Sequence, residues 1–412
     1  MPTPKPDFGM LSGYRVVMMG LSVAAPFAGQ LYAEHGADVI WIENPKVVDS
    51  CRTARKGGPW QQDRRNMRSL AIDYFHEGGK EVFLELIKTT DVLIEGSVGG
   101  RFDKIGLSDE VLWEANPGLV IAHISGYGQT GDPKYVSRPS YDPTAQAFGC
   151  LMRMNGMSGQ PSIPAMVFPG DYTASFYAFG MTVAALLKRT QTGKGESIDI
   201  AQFELLLRIQ ANYPIDYLRF GLDYTKEGNH SLICAGYGTY TCADGGEVYI
   251  LYLGSGVLSK GLPLLGLEYG SELFPAGSSL VPVNTPAAEV FEAALADFLS
   301  QHTAVEAEQL FYEYGVPCSL IMDYEQAKTN SQYVAREVFT TWTASDGVTE
   351  LPGVNVMPKL KNNPGRVWRG APAIGMDNDD ILAELGVPAD VVERLYAENK
   401  LSKSEYHDYA LD

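Results

Sequence analysis

Four continuous apolar runs in the first 130 residues constrain the fold more than any other feature of this sequence. Residues 14–19, Asp38–Glu43, 91–95 and 119–124 are short, rich in Val, Ile, Leu and Met, and lack the polar alternation of a half-exposed strand. Helical patterns separate them. Pro26 suits the first turn of one helix and Gly36 its end, while residues 77–89 carry Val82, Phe83, Leu86 and Ile87 on one side. Strands buried on both faces and joined by helices make a parallel sheet, whose ligands bind beyond the carboxyl ends of the strands.

The texture changes past residue 200. Residues 198–220 read as one long helix. Gly238-Thr-Tyr-Thr-Cys and Val248-Tyr-Ile-Leu-Tyr-Leu then flank Ala243-Asp-Gly-Gly, which signals a hairpin, and helical patterns follow at 287–300 and 304–314. The expected organisation of the 412 residues is a large α/β domain with a Rossmann-like parallel sheet over 1–224 and a smaller α+β domain over 225–335. Residues 336–412 are rich in Gly and Pro, with a helical stretch at 379–385, and are expected to return to the large domain.

Charge and composition remove several function classes. The 32 Lys and Arg against 50 Asp and Glu give a net charge of −18, which argues against nucleic acid or an anionic membrane surface as the main partner. Five scattered cysteines without a CxxC pair and six histidines without HxH or HExxH spacing support neither a disulfide framework nor a metal centre. Residues 1–13 lack the apolar core of a signal peptide. The most apolar stretch, 174–187, is too short to cross a bilayer and reads as a buried core helix. A cytoplasmic protein is expected.

Three features carry possible chemistry. Arg52, Arg55, Lys56, Arg64, Arg65 and Arg68 crowd one segment with only Asp63 opposing them, and Arg101 and Lys104 follow the strand at 91–95. Phosphate binding and a solvated loop are both open readings of such a cluster. Phe168-Pro-Gly-Asp171-Tyr places a carboxylate just before the apolar helix, where it serves either as a helix cap or as an ionised nucleophile. Gly236-Tyr-Gly238 is a mobile flap or a tight turn, and Tyr213 and Tyr217, one helical turn apart, are core packing or an aromatic patch for a quaternary ammonium. Neither a Walker loop nor the GxGxxG fingerprint is present.

Taken in order along the chain, these residues resemble a known family. Gly13-Tyr-Arg-Val-Val, Pro26-Phe-Ala-Gly-Gln, Gly36-Ala-Asp-Val-Ile-Trp-Ile-Glu-Asn, Arg64-Arg-Asn66, Ser125-Gly-Tyr-Gly-Gln, Phe168-Pro-Gly-Asp171-Tyr and Gly193-Lys-Gly-Glu-Ser-Ile-Asp are similar to the class III CoA-transferases, the CaiB/BaiF family. Trp41-Ile-Glu-Asn44, Tyr240-Thr-Cys-Ala-Asp-Gly245, Met357-Pro-Lys-Leu-Lys-Asn-Asn-Pro-Gly and Trp368-Arg-Gly resemble its carnitine branch. The resemblance implies an interlocked homodimer of two-domain subunits and no permanently bound cofactor, with coenzyme A thioesters as substrates. It implies Asp171 as the catalytic residue, forming an aspartyl-CoA thioester, with the helix behind it keeping the carboxylate ionised. CoA contacts are expected from Arg101, Lys104, Arg64, Arg65 and Asn66, and substrate contacts from Tyr213, Tyr217, Gly236 and Gly238. At two positions where the carnitine enzymes carry a basic CoA contact, this chain has Val98 and Ile105. Where the family's racemases carry a catalytic His, it reads Ser140-Tyr-Asp142-Pro, which favours transfer over racemisation.

The expected reaction moves CoA from a betaine acyl-CoA, crotonobetainyl-CoA or γ-butyrobetainyl-CoA, to L-carnitine. The alternatives are the same chemistry on succinate, formate or oxalate, or an aromatic acid, and a CoA-binding subunit without catalysis.

Overall fold

The computed structural model describes residues 5–52, 54, 58–226 and 228–404. Arg55 and Lys56 lie outside the described residues. The chain divides into two compact units, one of residues 1–152, 164–222 and 336–412, the other of 153–163 and 223–335.

The larger unit is built on a six-stranded sheet with the order β3-β2-β1-β4-β5-β6. Its strands are β1 (Arg15–Met19), β2 (Asp38–Glu43), β3 (Arg68–Ala71), β4 (Val92–Glu95), β5 (Val120–Ser125) and β6 (Ser197–Ala201). Every pairing is parallel. The apolar runs form strands because both faces are covered. Val16, Met18, Val39 and Trp41 pack on one side with α1 (Ala24–Glu34) and the long Pro169–Thr192 helix. Val17, Ile40, Leu93 and Ile121 pack on the other with Val82, Phe83 and Leu86. Each such side chain contributes about 1.5–3 kcal/mol when fully buried.

Two strands were not legible as strands. Arg68-Ser-Leu-Ala is β3, its Arg having drawn it into the basic cluster. Ser197-Ile-Asp-Ile-Ala is β6, which pairs with β5 from Ile121↔Ser197 to Ser125↔Ala201. The single helix expected over 198–220 is therefore corrected to a strand and two helices, Gln202–Arg208 and Tyr213–Phe220. Ala211 at φ 52, in the left-handed region, separates the helices, and Pro214 sits in the first turn of the second. The helix expected over 174–187 runs Pro169–Thr192 and is not wholly buried. Ala174, Ser175, Ala178, Thr182 and Leu186 face inward, whereas Phe176, Tyr177, Met181 and Leu187 are exposed.

The C-terminal segment joins this unit through its backbone. The Asn66 and Asp377 amides donate to the carbonyls of Arg369 and Ser69, and Ile72 bridges Leu401. It carries a hairpin of β10 (Phe339–Thr343) and β11 (Glu350–Val354) and two helices, Asn378–Glu384 and Ala389–Ala397. The smaller unit holds an antiparallel sheet of β7 (Tyr237–Thr241), β8 (Glu247–Leu251) and β9 (Cys318–Leu320) around Phe291, Leu295 and Phe311. Among the described residues no helix is long and apolar enough to cross a membrane.

Candidate active site

The strand order reverses direction between β1 and β4, and in an open parallel sheet that is where a crevice forms. The chain leaves β1 at Gly20 and β4 at Gly96, and the Gly96 amide donates to the Met19 carbonyl at 2.8 Å. A Cβ on Gly20 would meet the Ala25 Cβ at 2.7 Å, and one on Gly96 the same atom at 3.0 Å. Both glycines let the two strand ends close on the first turn of α1.

Two cavities of about 290 Å³ each open there. They share Leu21, Gly96, Ser97 and Val98 as a common wall. The first also takes in Glu43, Asp49, Phe75, Glu95, Arg101 and Ile105. Its three carboxylates each have a cationic or hydrogen-bonding partner in the core. Glu43 accepts from Arg52 Nε and Nη2, at 3.0 and 2.7 Å, and from Ser69 at 2.5 Å. Asp49 accepts from Arg64 at 2.7 Å. Glu95 meets His123 Nδ1 at 2.7 Å and accepts from Ser97 Oγ at 2.5 Å, while His123 Nε2 meets Asp109 at 2.9 Å. Burial alone would lower the His123 pKa; the hydrogen bonds and charges of Asp109 and Glu95 overcome it and push it up to about 10. Arg101 is exposed on this cavity, its guanidinium 5.2 Å from the centre of the Phe75 ring.

The second cavity contains Asp171, with Val23, Ala24 and Ala25 from the amide end of α1, Ser125, Tyr141 and Gln202. The first amides of a helix have no acceptor within it. Asp171 is the third residue of the Pro169–Thr192 helix, so the capping role open to it in the sequence is corrected: the cap position is Phe168, at φ 50 and ψ 52. The capping is done by Asp142, whose Oδ1 accepts from the Gly170 and Asp171 amides at 2.6 and 3.2 Å. The Asp171 carboxylate accepts from Gln202 Nε2 at 2.5 Å. Burial and the Asp142 charge push its pKa up to about 7, against the pull of the Gln202 hydrogen bond. The amides expected to hold the Asp171 charge are therefore occupied by Asp142.

The expected CoA residues are placed unevenly. Arg101 lines the first cavity, and Lys104 is exposed on the same short helix, Arg101–Lys104. Val98 and Ile105 line that cavity as well. Arg64, Arg65 and Asn66 are corrected: all three are buried and bonded inside the fold. Arg64 pairs with Asp49, and Arg65 pairs with Glu34 at 2.5 Å beneath the Trp342 ring. Asn66 accepts from the Trp368 and Arg369 amides and donates to the Ala33 and Arg366 carbonyls. A guanidinium does not discharge on burial, so each buried Arg demands a carboxylate. Arg52 and Arg68 obey the same rule with Glu43 and with Asp38 and Glu384. The dense positive segment is therefore largely an internal ion-pair network.

Tyr213 and Tyr217 line neither cavity, and Tyr141 lines the one around Asp171. Gly236 and Gly238 belong to the smaller unit, where a Cβ would meet the Phe291 ring at 2.5 Å and the Asn229 carbonyl at 2.3 Å, so close packing explains both. Asp142, Gln202, Ser97 and His123 were not singled out as site residues. Of these only Asp142 carried a local signal, the Asp-Pro pair that opens the Asp142–Phe148 helix.

The model of CoA-transferase family III matches residues 11–378. A CAIB/BAIF family protein from Brucella suis is 28% identical, with 92% of this chain and 100% of that one covered and a TM-score of 0.77. Rv3272 from Mycobacterium tuberculosis is 22% identical over 91% of this chain and 99% of that one, with a TM-score of 0.76, and shares the fold.

Proposed function

The chain belongs to CoA-transferase family III, and from that premise we propose that it moves CoA between carboxylic acids through an aspartyl-CoA thioester on Asp171, with L-carnitine as acceptor and crotonobetainyl- or γ-butyrobetainyl-CoA as donor. The observation that carries the reading is the Asp171 carboxylate, which among the described residues is the one acidic group lining the second of two cavities with a common wall at the sheet's switch point. The nucleotide end of CoA takes the first cavity, and Arg101, with Lys104 beside it, receives phosphate. The pantetheine passes along Gly96, Ser97 and Val98 to bring the thioester to Asp171.

An Asp171 oxygen attacks the thioester carbonyl carbon, and the C–S bond breaks to release CoA thiolate and leave a mixed anhydride. The thiolate attacks the Asp171 carbonyl carbon, expelling the donor carboxylate and leaving aspartyl-CoA. The carnitine carboxylate then attacks that thioester, again expelling thiolate, which takes the carnitinyl carbon and returns Asp171 as a carboxylate. Each step exchanges one oxygen or sulfur nucleophile for another at an activated carbonyl. The amides of Ala24 and Ala25, at the start of α1, stabilise the oxyanions.

A trimethylammonium substrate is supported by the lining of the Asp171 cavity, which among the described residues holds no basic side chain and presents the Tyr141 ring. Tyr141 thus takes the ammonium role in place of Tyr213 and Tyr217, which line neither cavity. An interlocked homodimer is supported by the exposed apolar side chains of the Tyr213–Phe220 helix, among them Leu218 at 82% and Phe220 at 62% exposure. Five free cysteines suit a cytoplasmic setting.

Hydroxylamine added after incubation with acyl-CoA is expected to convert Asp171 to a hydroxamate visible in its peptide mass, and Asp171→Ala to abolish both adduct and turnover. Full turnover by Asp171→Ala refutes the mechanism. A panel of acceptors tests the substrate: exchange with succinate, oxalate or an aromatic acid but not carnitine assigns the enzyme to another acid.

A further inference from the structure

We propose that Asp142 is a positioning residue for Asp171: its carboxylate, bound at the amide end of the Pro169–Thr192 helix, takes the amides of that helix and sets a second charge against Asp171, which makes Asp171 a stronger nucleophile. The inference rests on Asp171 being the nucleophile of the proposed reaction.

A carboxylate in the first turn of a helix is ordinarily stabilised by free amides and the helix dipole, which leaves it a weak base. Here residues 169–172 of the helix leave no amide for Asp171. Pro169 has no N–H, those of Gly170 and Asp171 go to Asp142 Oδ1, and that of Tyr172 goes to the Phe168 carbonyl at 3.1 Å. Asp142 is 1% exposed, and its second oxygen accepts from Gln146 Nε2 at 2.5 Å. Both oxygens act only as acceptors, as a carboxylate does, and all three donors are neutral. Gln146 is itself fixed by the Ala165 amide and carbonyl, at 2.8 and 3.0 Å, just ahead of the long helix. The geometry leaves a second, rigid negative charge beside the first.

Among the described residues lining its cavity no cation offsets that charge, and the Gln202 hydrogen bond opposes it only in part. Facing that carboxylate are Asp142 and Tyr141 from the start of the Asp142–Phe148 helix and Gln202 from the next helix. Ala24 and Ala25 from α1, residues 96–98 beyond β4 and Ser125 from β5 add no charge. Tyr172, next along the helix, is the group that feels Asp63, Cys51 and Arg64. The upward shift of Asp171 to about 7 follows from burial first and Asp142 second. A carboxylate with that affinity for protons is a better nucleophile toward a thioester, yet is still substantially ionised near neutral pH.

The test is a ¹³C-carboxyl NMR titration of Asp171 in substrate-free enzyme, the signal assigned by its loss in Asp171→Asn. Wild type is expected to titrate near pH 7. Asp142→Asn keeps an oxygen for the two amides and removes the charge; Asp171 should then titrate lower by roughly one pH unit or more. The acid limb of the rate of adduct formation should move with it. Asp142→Ser, a neutral capping residue, is the second variant. Titration of wild-type Asp171 near the ordinary Asp value overturns the inference without any variant, as does an unmoved titration in a folded Asp142 variant. If the titration behaves as expected but hydroxylamine traps nothing on Asp171, the nucleophile reading fails and the charge coupling stands.

Discussion

Replacing Arg65 with Met separates a structural guanidinium from a ligand-binding one. Arg65 is buried, bonds Glu34 through Nε and Nη2 at 3.0 and 2.5 Å, and lies 4.6 Å from the Trp342 ring centre. Met keeps much of the volume but leaves Glu34 buried, with Gln30 donating to it at 2.8 Å and no cation. Breaking a buried pair on one side costs about 3–5 kcal/mol. At about 2.1 cal/mol/K of unfolding entropy per residue, a unit of roughly 290 residues should melt about 5–8 °C lower. Adding Glu34→Gln removes the orphaned charge and should restore most of the loss. Calorimetry gives the melting shift, and initial rates with acyl-CoA give KM, which should not change in the folded variant. An unchanged melting temperature with a tenfold rise in KM would refute the reasoning and return Arg65 to the ligand.

Arg101→Ala should raise KM for the acyl-CoA about tenfold, the value of one exposed charge-assisted hydrogen bond, with much less effect on a 3′-dephospho-CoA thioester if that phosphate is the one held; steady-state comparison of the two donors checks this. His123 has a raised folded pKa, so its ion pairs contribute fully below about pH 6.5 and are lost as pH rises toward about 10. Stability should fall over that window, and His123→Gln, less stable at neutral pH, should flatten the fall in denaturant titrations.

The strands that could be read were those buried on both faces, because Val92-Leu-Ile or Val120-Ile-Ala carries its environment in its composition. Arg68-Ser-Leu-Ala concealed β3 because its Arg is neutralised by Asp38 and Glu384, the latter 316 residues away in sequence. Asp171 was legible through a motif, but its electrostatics were not. The residue that alters them, Asp142, lies 29 positions earlier on another helix.

The sequence by itself determined the parallel α/β sheet, the hairpin of the smaller unit and the family, and it singled out Asp171. Those depend on local periodicity and on motifs of adjacent residues. Only the tertiary structure decided which charges face a cavity. The −18 net charge and the cluster around Arg64 both count residues without regard to partners. Once Glu34, Glu43 and Asp49 are folded against Arg65, Arg52 and Arg64, those charges are spent inside the protein, and Arg101 remains at the cavity. Charge at a site is a sum over neighbours in space, and the chain brings those neighbours together from distant parts of its length.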